Sequence, residues 1–167
     1  IDTQGVFTQL GLDLSCWFYT SYGRAHGPLN TVGAISGSCN YYFSELGYRL
    51  SLDDSGNYNE SKGVSAIQAF ASAFGLNTTS GIELQERSPQ ISDTAPVPSA
   101  IGQGTHRFSN VQLARYVTAL ANSGTVYNLT LLDSVTDTDG NVVVDYQPEI
   151  VNTTDFAAST WDTVHEG

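Results

Sequence analysis

From Ser109 to Gly124 the chain spells out one complete helix, and no other stretch limits its fold as strongly. Ser109 stands where an N-cap belongs, and Gln112 follows three residues later, the spacing of a reciprocal capping box. Val111, Leu113, Ala114, Val117, Leu120 and Ala121 then recur at helical spacing as an apolar stripe, and Gly124 ends the run. A stripe of this kind belongs to a folded chain. Composition agrees, because 40% of the residues are hydrophobic and only 14% charged, with nine tyrosines and seven phenylalanines, richer in aromatics than a disordered polyelectrolyte. At 167 residues, one ordinary domain is the expectation.

Other segments can be read by the same reasoning. Residues 1–27 are turn-rich, since Gly5, Gly11, Gly23 and Gly27 interrupt every periodic run. Pro28 predicts the first turn of a short helix reaching about Ser36, stopped by Gly37. A second helix is predicted over Tyr41 to Leu50, with Tyr42, Phe43, Leu46 and Leu50 along one face. Residues 53–62 read as an exposed loop. Val64, Ile67, Phe70, Ala71 and Phe74 predict a third helix, with Gly75 as its left-handed cap. Residues 76–99 hold Gly81, Pro89, Pro96 and Pro98 and are expected to be extended and irregular. Val126 to Thr136 and Val142 to Tyr146 are β-rich and joined by Asp137-Thr138-Asp139-Gly140-Asn141, a hairpin signal. A last helix is expected to begin at Ser159, with Asp162 three residues on, carrying Trp161 and Val164. The sum is a mainly α chain with a small β-hairpin.

Charge excludes some functions. Seventeen acids against six bases give a formal net charge of −11, a surface that repels phosphate backbones and anionic lipid heads, so no nucleic-acid partner is expected. No segment approaches the ~18 consecutive apolar residues of a membrane span. The start at Ile1 and the absence of methionine are read as marks of a piece cut from a longer protein. Cys16 and Cys39 fit no metal spacing; a disulfide and two buried free thiols both remain open. His26, His106 and His165 show no ligand spacing among themselves, so no metal site and no cofactor are expected. Gly102-Gln103-Gly104 reads as a tight turn rather than a nucleotide loop, for no strand closely precedes it. Glu83 and Glu86 are expected to be solvated, and Tyr19, Tyr22, Tyr41 and Tyr42 to serve core and rim packing. The Asn-x-Ser/Thr triplets at Asn59, Asn77, Asn128 and Asn152 carry no assigned role.

Two stretches carry a resemblance. The first runs His26-Gly27-Pro28-Leu29-Asn30, Ala34-Ile35, Ser38-Cys39-Asn40-Tyr41-Tyr42-Phe43 and Leu46-Gly47. It resembles the segment around the S-x-N motif of class B penicillin-binding proteins. The second, Ile101-Gly102-Gln103-Gly104 with Gln112-Leu113-Ala114 and Leu120-Ala121-Asn122-Ser123-Gly124, resembles the glycine-rich loop and following helix of that family. Phe74-Gly75-Leu76 with Thr79-Ser80-Gly81-Ile82-Glu83-Leu84, and Val164-His165-Glu166-Gly167, are smaller echoes. A lone S-x-N triplet means little; in this order and spacing the set covers about residues 16 to 167.

The resemblance implies a part of one α/β transpeptidase domain of the β-lactamase-like, serine-acyltransferase kind, spanning 1–167. It implies a parent D,D-transpeptidase that cross-links peptidoglycan stem peptides through an acyl-serine, binds β-lactam antibiotics, and works membrane-anchored at the extracytoplasmic face of a bacterial cell with cell-wall synthesis partners. Ser38 takes the place of the relay serine and Asn40 that of the substrate-binding asparagine, with Cys39 turned into packing. The family's other motifs, S-x-x-K and K-T-G, are absent. The only lysine is Lys62, with Asn59 three residues before it and Gly63 after it. Their expected places lie outside residues 1–167, so the piece alone is expected to be inactive and to leave apolar helix faces uncovered. Two other readings compete: a β-lactam sensor or non-catalytic scaffold of the same fold, and an acidic surface adhesin-like module, which leaves the ordered matches unexplained.

Overall fold

The computed structural model describes residues 1–167. Its elements are β1 (Asp2–Thr3), β2 (Val6–Phe7), a 3-10 turn at Gln9–Gly11, β3 (Leu14–Ser15), α1 (Trp17–Tyr22), β4 (Gly27–Pro28), α2 (Thr31–Ser36), α3 (Asn40–Leu50), α4 (Glu60–Ala73), α5 (Pro96–Ser99), α6 (Asn110–Ala121), β5 (Thr125–Tyr127), β6 (Ser134–Thr136), β7 (Val142–Asp145), β8 (Ile150–Thr153) and α7 (Ala158–Glu166). The strands form four separate antiparallel pairs, β1–β4, β2–β3, β5–β8 and β6–β7. The chain is thus mainly helical, with more β-pairing than the single expected hairpin. None of the helices is long and apolar enough to cross a membrane.

Two compact units divide these elements. The first comprises Ile1–Phe70, Ile91–His106 and Phe156–Gly167; the second, Ala71–Gln90 and Arg107–Asp155.

In the first unit, Cys16, Ala34, Cys39 and Tyr42 form a buried cluster, with Ile1, Phe18, Leu29, Tyr41 and Phe43 packed around it. The turn-rich opening holds two antiparallel strand pairings and α1, because backbone pairing, invisible in a glycine-broken sequence, closes it: Asp2 lies opposite Pro28, and Val6 opposite Ser15. Pro28 therefore belongs to β4 and does not start a helix. Asn30 caps α2 instead, its side-chain oxygen accepting from Gly33 N–H at 2.8 Å. The expected loop at 53–62 ends early, since Asn59 Oδ1 accepts from Lys62 N–H at 3.1 Å and α4 begins at Glu60. Gly63 lets α4 lie against α5: a Cβ there would stand 2.8 Å from Pro96 Cγ. Glu60 then accepts from Thr94 Oγ1 at 2.7 Å and Ala95 N–H at 2.8 Å, which secures the left-handed residue Ala95 (φ +49°) before α5, a helical turn inside the segment expected to be irregular. Ser159 does not cap α7. The helix starts one residue earlier without a side-chain cap, and Ser159 instead gives its carbonyl to Thr163 Oγ1 at 2.8 Å.

In the second unit, α6 carries the expected capping box in full: Gln112 N–H donates to Ser109 Oγ at 3.2 Å, and Ser109 N–H to Gln112 Oε1 at 2.9 Å. Its apolar stripe, however, is not the buried face. Gln112, Arg115 and Ala119 are buried, while Leu113 and Val117 are 40% and 58% exposed. The reason is Arg115, whose guanidinium donates to the carbonyls of Thr79 (2.9 Å), Thr78 (3.0 Å) and Gly75, gathering the turn after α4 onto this face. The hairpin forms between β6 and β7 around Gly140 (φ +87°). Residues 128–133 are not strand, and the partner of β5 is β8, a strand the periodicity did not reveal.

Candidate functional site

The S-x-N stretch is built from a helix end. At the close of α2, Ser38 N–H donates to Ile35 O and Cys39 N–H to Ala34 O, both at 3.0 Å, the paired closure of a Schellman turn. That closure needs a left-handed residue, normally glycine, and here Ser38 takes it with φ +46°. A left-handed conformation costs a non-glycine residue roughly 1–2 kcal/mol. Trp17 Nε1–H braces the turn by donating to Gly37 O at 2.9 Å. The Ser38 side chain is exposed, and its hydroxyl has no hydrogen-bond partner within the chain. Asn40 opens α3 two residues on; its amide nitrogen donates to Ser15 O at 3.3 Å, which leaves the amide oxygen for an incoming donor. Backbone closure thus presents a free hydroxyl and an oriented amide from one rigid corner.

Between them, Cys39 is fully buried. Its Sγ lies 3.9 Å from Cys16 Sγ, and both thiols are free. Cys16 Sγ lies 3.6 Å from His26 Nδ1. Spacing along the chain did not disclose this triad, because its members come from three segments that only the fold joins. Burial pushes the Cys39 thiol pKa up; the Tyr42 amide opposes that, and the neighbouring Cys16 adds to it. The other histidines sit elsewhere. His106 accepts from Ser92 N–H at 3.0 Å through Nδ1 and faces Ser99 O with Nε2 at 3.2 Å, and His165 lies against Trp161.

The remaining candidates are structural. Gly102 (φ +76°) and the Gln103 N–H donated to Pro98 O at 2.9 Å make Gly102-Gln103-Gly104 the expected tight turn, and Gly104 packs on the Ser99 and Ser92 hydroxyls with no room for a Cβ. Glu83 and Glu86 are not merely solvated. Glu83 accepts from Leu131 N–H at 2.9 Å and from the Thr130 hydroxyl. Glu86 accepts from Ser80 N–H (2.7 Å), Ser80 Oγ (2.6 Å) and Ser109 Oγ (3.1 Å). Burial pushes the Glu86 carboxyl up, but those donors and the Arg115 charge outweigh it and hold the pKa below the ordinary value. The corner these bonds tie had no sequence signature, for each partner is remote or a plain serine. Tyr42 is buried and Tyr41 half-buried, whereas Tyr19 and Tyr22 are 40% and 62% exposed. Lys62 Nζ lies 3.7 Å from Asp54. The second unit holds a cavity of about 770 Å³, lined among others by Leu84, Glu86, Arg107, Phe108 and Val111; neither Ser38 nor Asn40 borders it.

The chain matches the family model of the penicillin binding protein transpeptidase domain over residues 2–167. No curated protein matches it. Among solved structures, penicillin-binding protein 2B from Streptococcus pneumoniae strain R6 is similar with a TM-score of 0.78 at 22% identity, covering 99% of this chain and 29% of that one. The strain 5204 protein gives 0.77 at 19% identity over the same shares. Penicillin binding protein 3 from Mycobacterium tuberculosis, complexed with aztreonam, gives 0.68 at 20% identity, covering 98% of this chain and 34% of that one. The chain therefore spans about a third of the length of these proteins, and at such identities the likeness establishes the fold. With the family model matched along nearly its whole length, the chain belongs to the penicillin-binding protein transpeptidase domain family.

Proposed function

We propose that the protein carrying this chain is a serine-type peptidoglycan D,D-transpeptidase, and that Ser38 and Asn40 form one corner of its active site. The observation that carries the reading is the α2–α3 corner, where an exposed hydroxyl without a partner is held in a left-handed turn two residues from an oriented amide. Acyl transfer through a serine ester needs a base for the nucleophile's proton and an acid for the departing amine. A hydroxyl both donates and accepts, so Ser38 suits the relay between them. Asn40 offers its amide to the peptide group of a stem peptide or the matching amide of a β-lactam, and such positioning is worth several orders of magnitude in an acyl transfer. Related structures bind aztreonam and, in penicillin-binding protein A from M. tuberculosis, form an imipenem acyl-enzyme, which supports the assignment of β-lactams as ligands.

In this reading the nucleophilic serine, its lysine and the K-T-G strand are supplied by chain outside these 167 residues, and residues 1–167 alone form no penicilloyl ester. The whole protein is anchored in the membrane with this domain on the extracytoplasmic side, among cell-wall synthesis partners. The test is fluorescent-penicillin labelling of the protein with its natural flanking chain, followed by peptide mapping. An ester on a serine outside residues 1–167, with turnover of stem peptides, is the expected result. Labelling without turnover would make it a sensor, and no labelling of the folded protein would make it a scaffold.

A further inference from the structure

The geometry points to a second site in the first unit: Cys16, His26 and Cys39 bind one zinc ion through two thiolate sulfurs and His26 Nδ1, with a fourth position open to solvent on the half-buried histidine side. Zinc bonds of ~2.3 Å to sulfur and ~2.0 Å to nitrogen, at tetrahedral angles, place ligand atoms about 3.5–3.8 Å apart. The sulfurs here are 3.9 Å apart, Cys16 Sγ and His26 Nδ1 are 3.6 Å apart, and all three ligand atoms lie within 4.8 Å of one another. Closing on an ion asks only a few tenths of an ångström from the two shorter pairs.

The ligands are also held by bonds that do not involve the ion. Cys16 precedes α1, and its N–H donates to Gly5 O at 2.8 Å; Cys39 precedes α3, and its N–H donates to Ala34 O at 3.0 Å. His26 is stacked on Phe18, with ring centroids 4.3 Å apart at 20°, and stands edge-on to Trp17 at 6.1 Å. Three segments, the second and third lying 10 and 23 residues beyond the first, thus present their ligand atoms to one point.

Ligand chemistry selects the ion. Two thiolates and an imidazole suit zinc, while magnesium and calcium want oxygen, and no carboxylate belongs to the group. Binding releases the two thiol protons to solvent as two sulfur–zinc bonds form, and no oxidant enters. Two thiolates neutralise the dication, so the buried pocket gains no net charge. Because Cys39 lies between Ser38 and Asn40, the ion would tie their turn to the starts of α1 and β4. The site does not depend on the transpeptidase reading, since its test reads metal rather than activity.

The protein with its natural flanking chain is reduced, stripped of metal and titrated with zinc, and in parallel with cobalt as a spectroscopic probe. One equivalent of zinc per chain is expected, with two protons released. The cobalt form should show sulfur-to-metal charge transfer in the near ultraviolet and the intense visible bands of tetrahedral coordination. His26→Gln, which keeps both thiols, should weaken zinc by at least about 10- to 100-fold, since losing a ligand costs no less than losing a group that supports one, and Cys39→Ser should weaken it further. Circular dichroism of each variant separates lost ligation from lost folding, and the wild-type stoichiometry stands whether or not a variant folds. A folded, fully reduced protein that takes up no zinc would overturn the proposal. So would a cobalt spectrum without thiolate charge transfer, affinity unchanged in both variants, or a Cys16–Cys39 disulfide that resists reduction in the folded protein.

Discussion

Ser38 and Ser123 occupy the same place in two helix ends. Each is the left-handed residue of a Schellman closure, with φ of +46° and +61°. At the end of α2 the bonds are Ser38 N–H to Ile35 O and Cys39 N–H to Ala34 O; at the end of α6 they are Ser123 N–H to Leu120 O and Gly124 N–H to Ala119 O. The two chains of residues beyond these turns differ. After Ser38 come a buried thiol and the first residue of a new helix, so the corner presents side chains. After Ser123 comes buried Gly124, whose carbonyl accepts from Thr154 N–H at 3.0 Å as the chain enters β5. The surroundings differ too: soft donors lie beneath the first turn, while the helix that ends in the second is tied by hydrogen bonds from Gln112 to Arg87 O, from Arg115 to Thr79 O and from Ser109 to Glu86. A strained serine is therefore not in itself a sign of chemistry. The residues it delivers decide.

The largest expected effect separates the two serines directly. In the protein with its natural flanking chain, the relay role proposed for Ser38 predicts that Ser38→Ala slows acylation by fluorescent penicillin at least ~100-fold, with the thermal melt unchanged. Ser123→Ala should leave labelling untouched, and equal rates for both variants would erase the distinction. Next comes the group beneath α6. Arg115→Met removes the donors to Thr79, Thr78 and Gly75 and should cost about 3 kcal/mol in urea unfolding, since hydrogen bonds from a charged donor are lost and buried acceptors are stranded. A neutral result would mean the second corner is held by something other than that network.

Glycine at either serine should raise stability by about 1 kcal/mol, because it relieves the left-handed conformation. Ser38→Gly should lose acylation while Ser123→Gly keeps it, so stability and activity part at one corner only. The smallest effect is electrostatic. Glu86 is held below its ordinary pKa, so its contribution is full above the unfolded value of about 4.3 and fades as pH falls through the lower folded value. Melting curves of Glu86→Gln should show less loss on acidification than the wild type. An unchanged acid limb would remove Glu86 from the network.

Local chemistry was legible along the chain. The Ser109–Gln112 capping box, the glycine stop at Gly75, the hairpin at Asp137–Asn141 and the tight turn at Gly102–Gly104 each depend on neighbours within five residues, so the residues alone imply them. The family likeness also rests on sequence, as an ordered set of short motifs. Boundaries went astray where a rival local bond won: Asn30 rather than Pro28 starts α2, and Ser159 leaves α7 uncapped.

Tertiary structure decided what depends on partners far along the chain. It set which face of α6 is buried, because a carbonyl cluster 36 to 40 residues away draws Arg115 inward and turns Leu113 and Val117 outward. It tied Glu86 to Ser109, 23 residues on. It also brought His26 and Cys39 to Cys16, from which they stand 10 and 23 residues along the chain, a spacing that resembles no ligand motif. Short-range hydrogen bonds and steric preferences are written in neighbouring residues. Convergence of remote side chains comes only from how the helices and strands close on one another, and no local pattern encodes that.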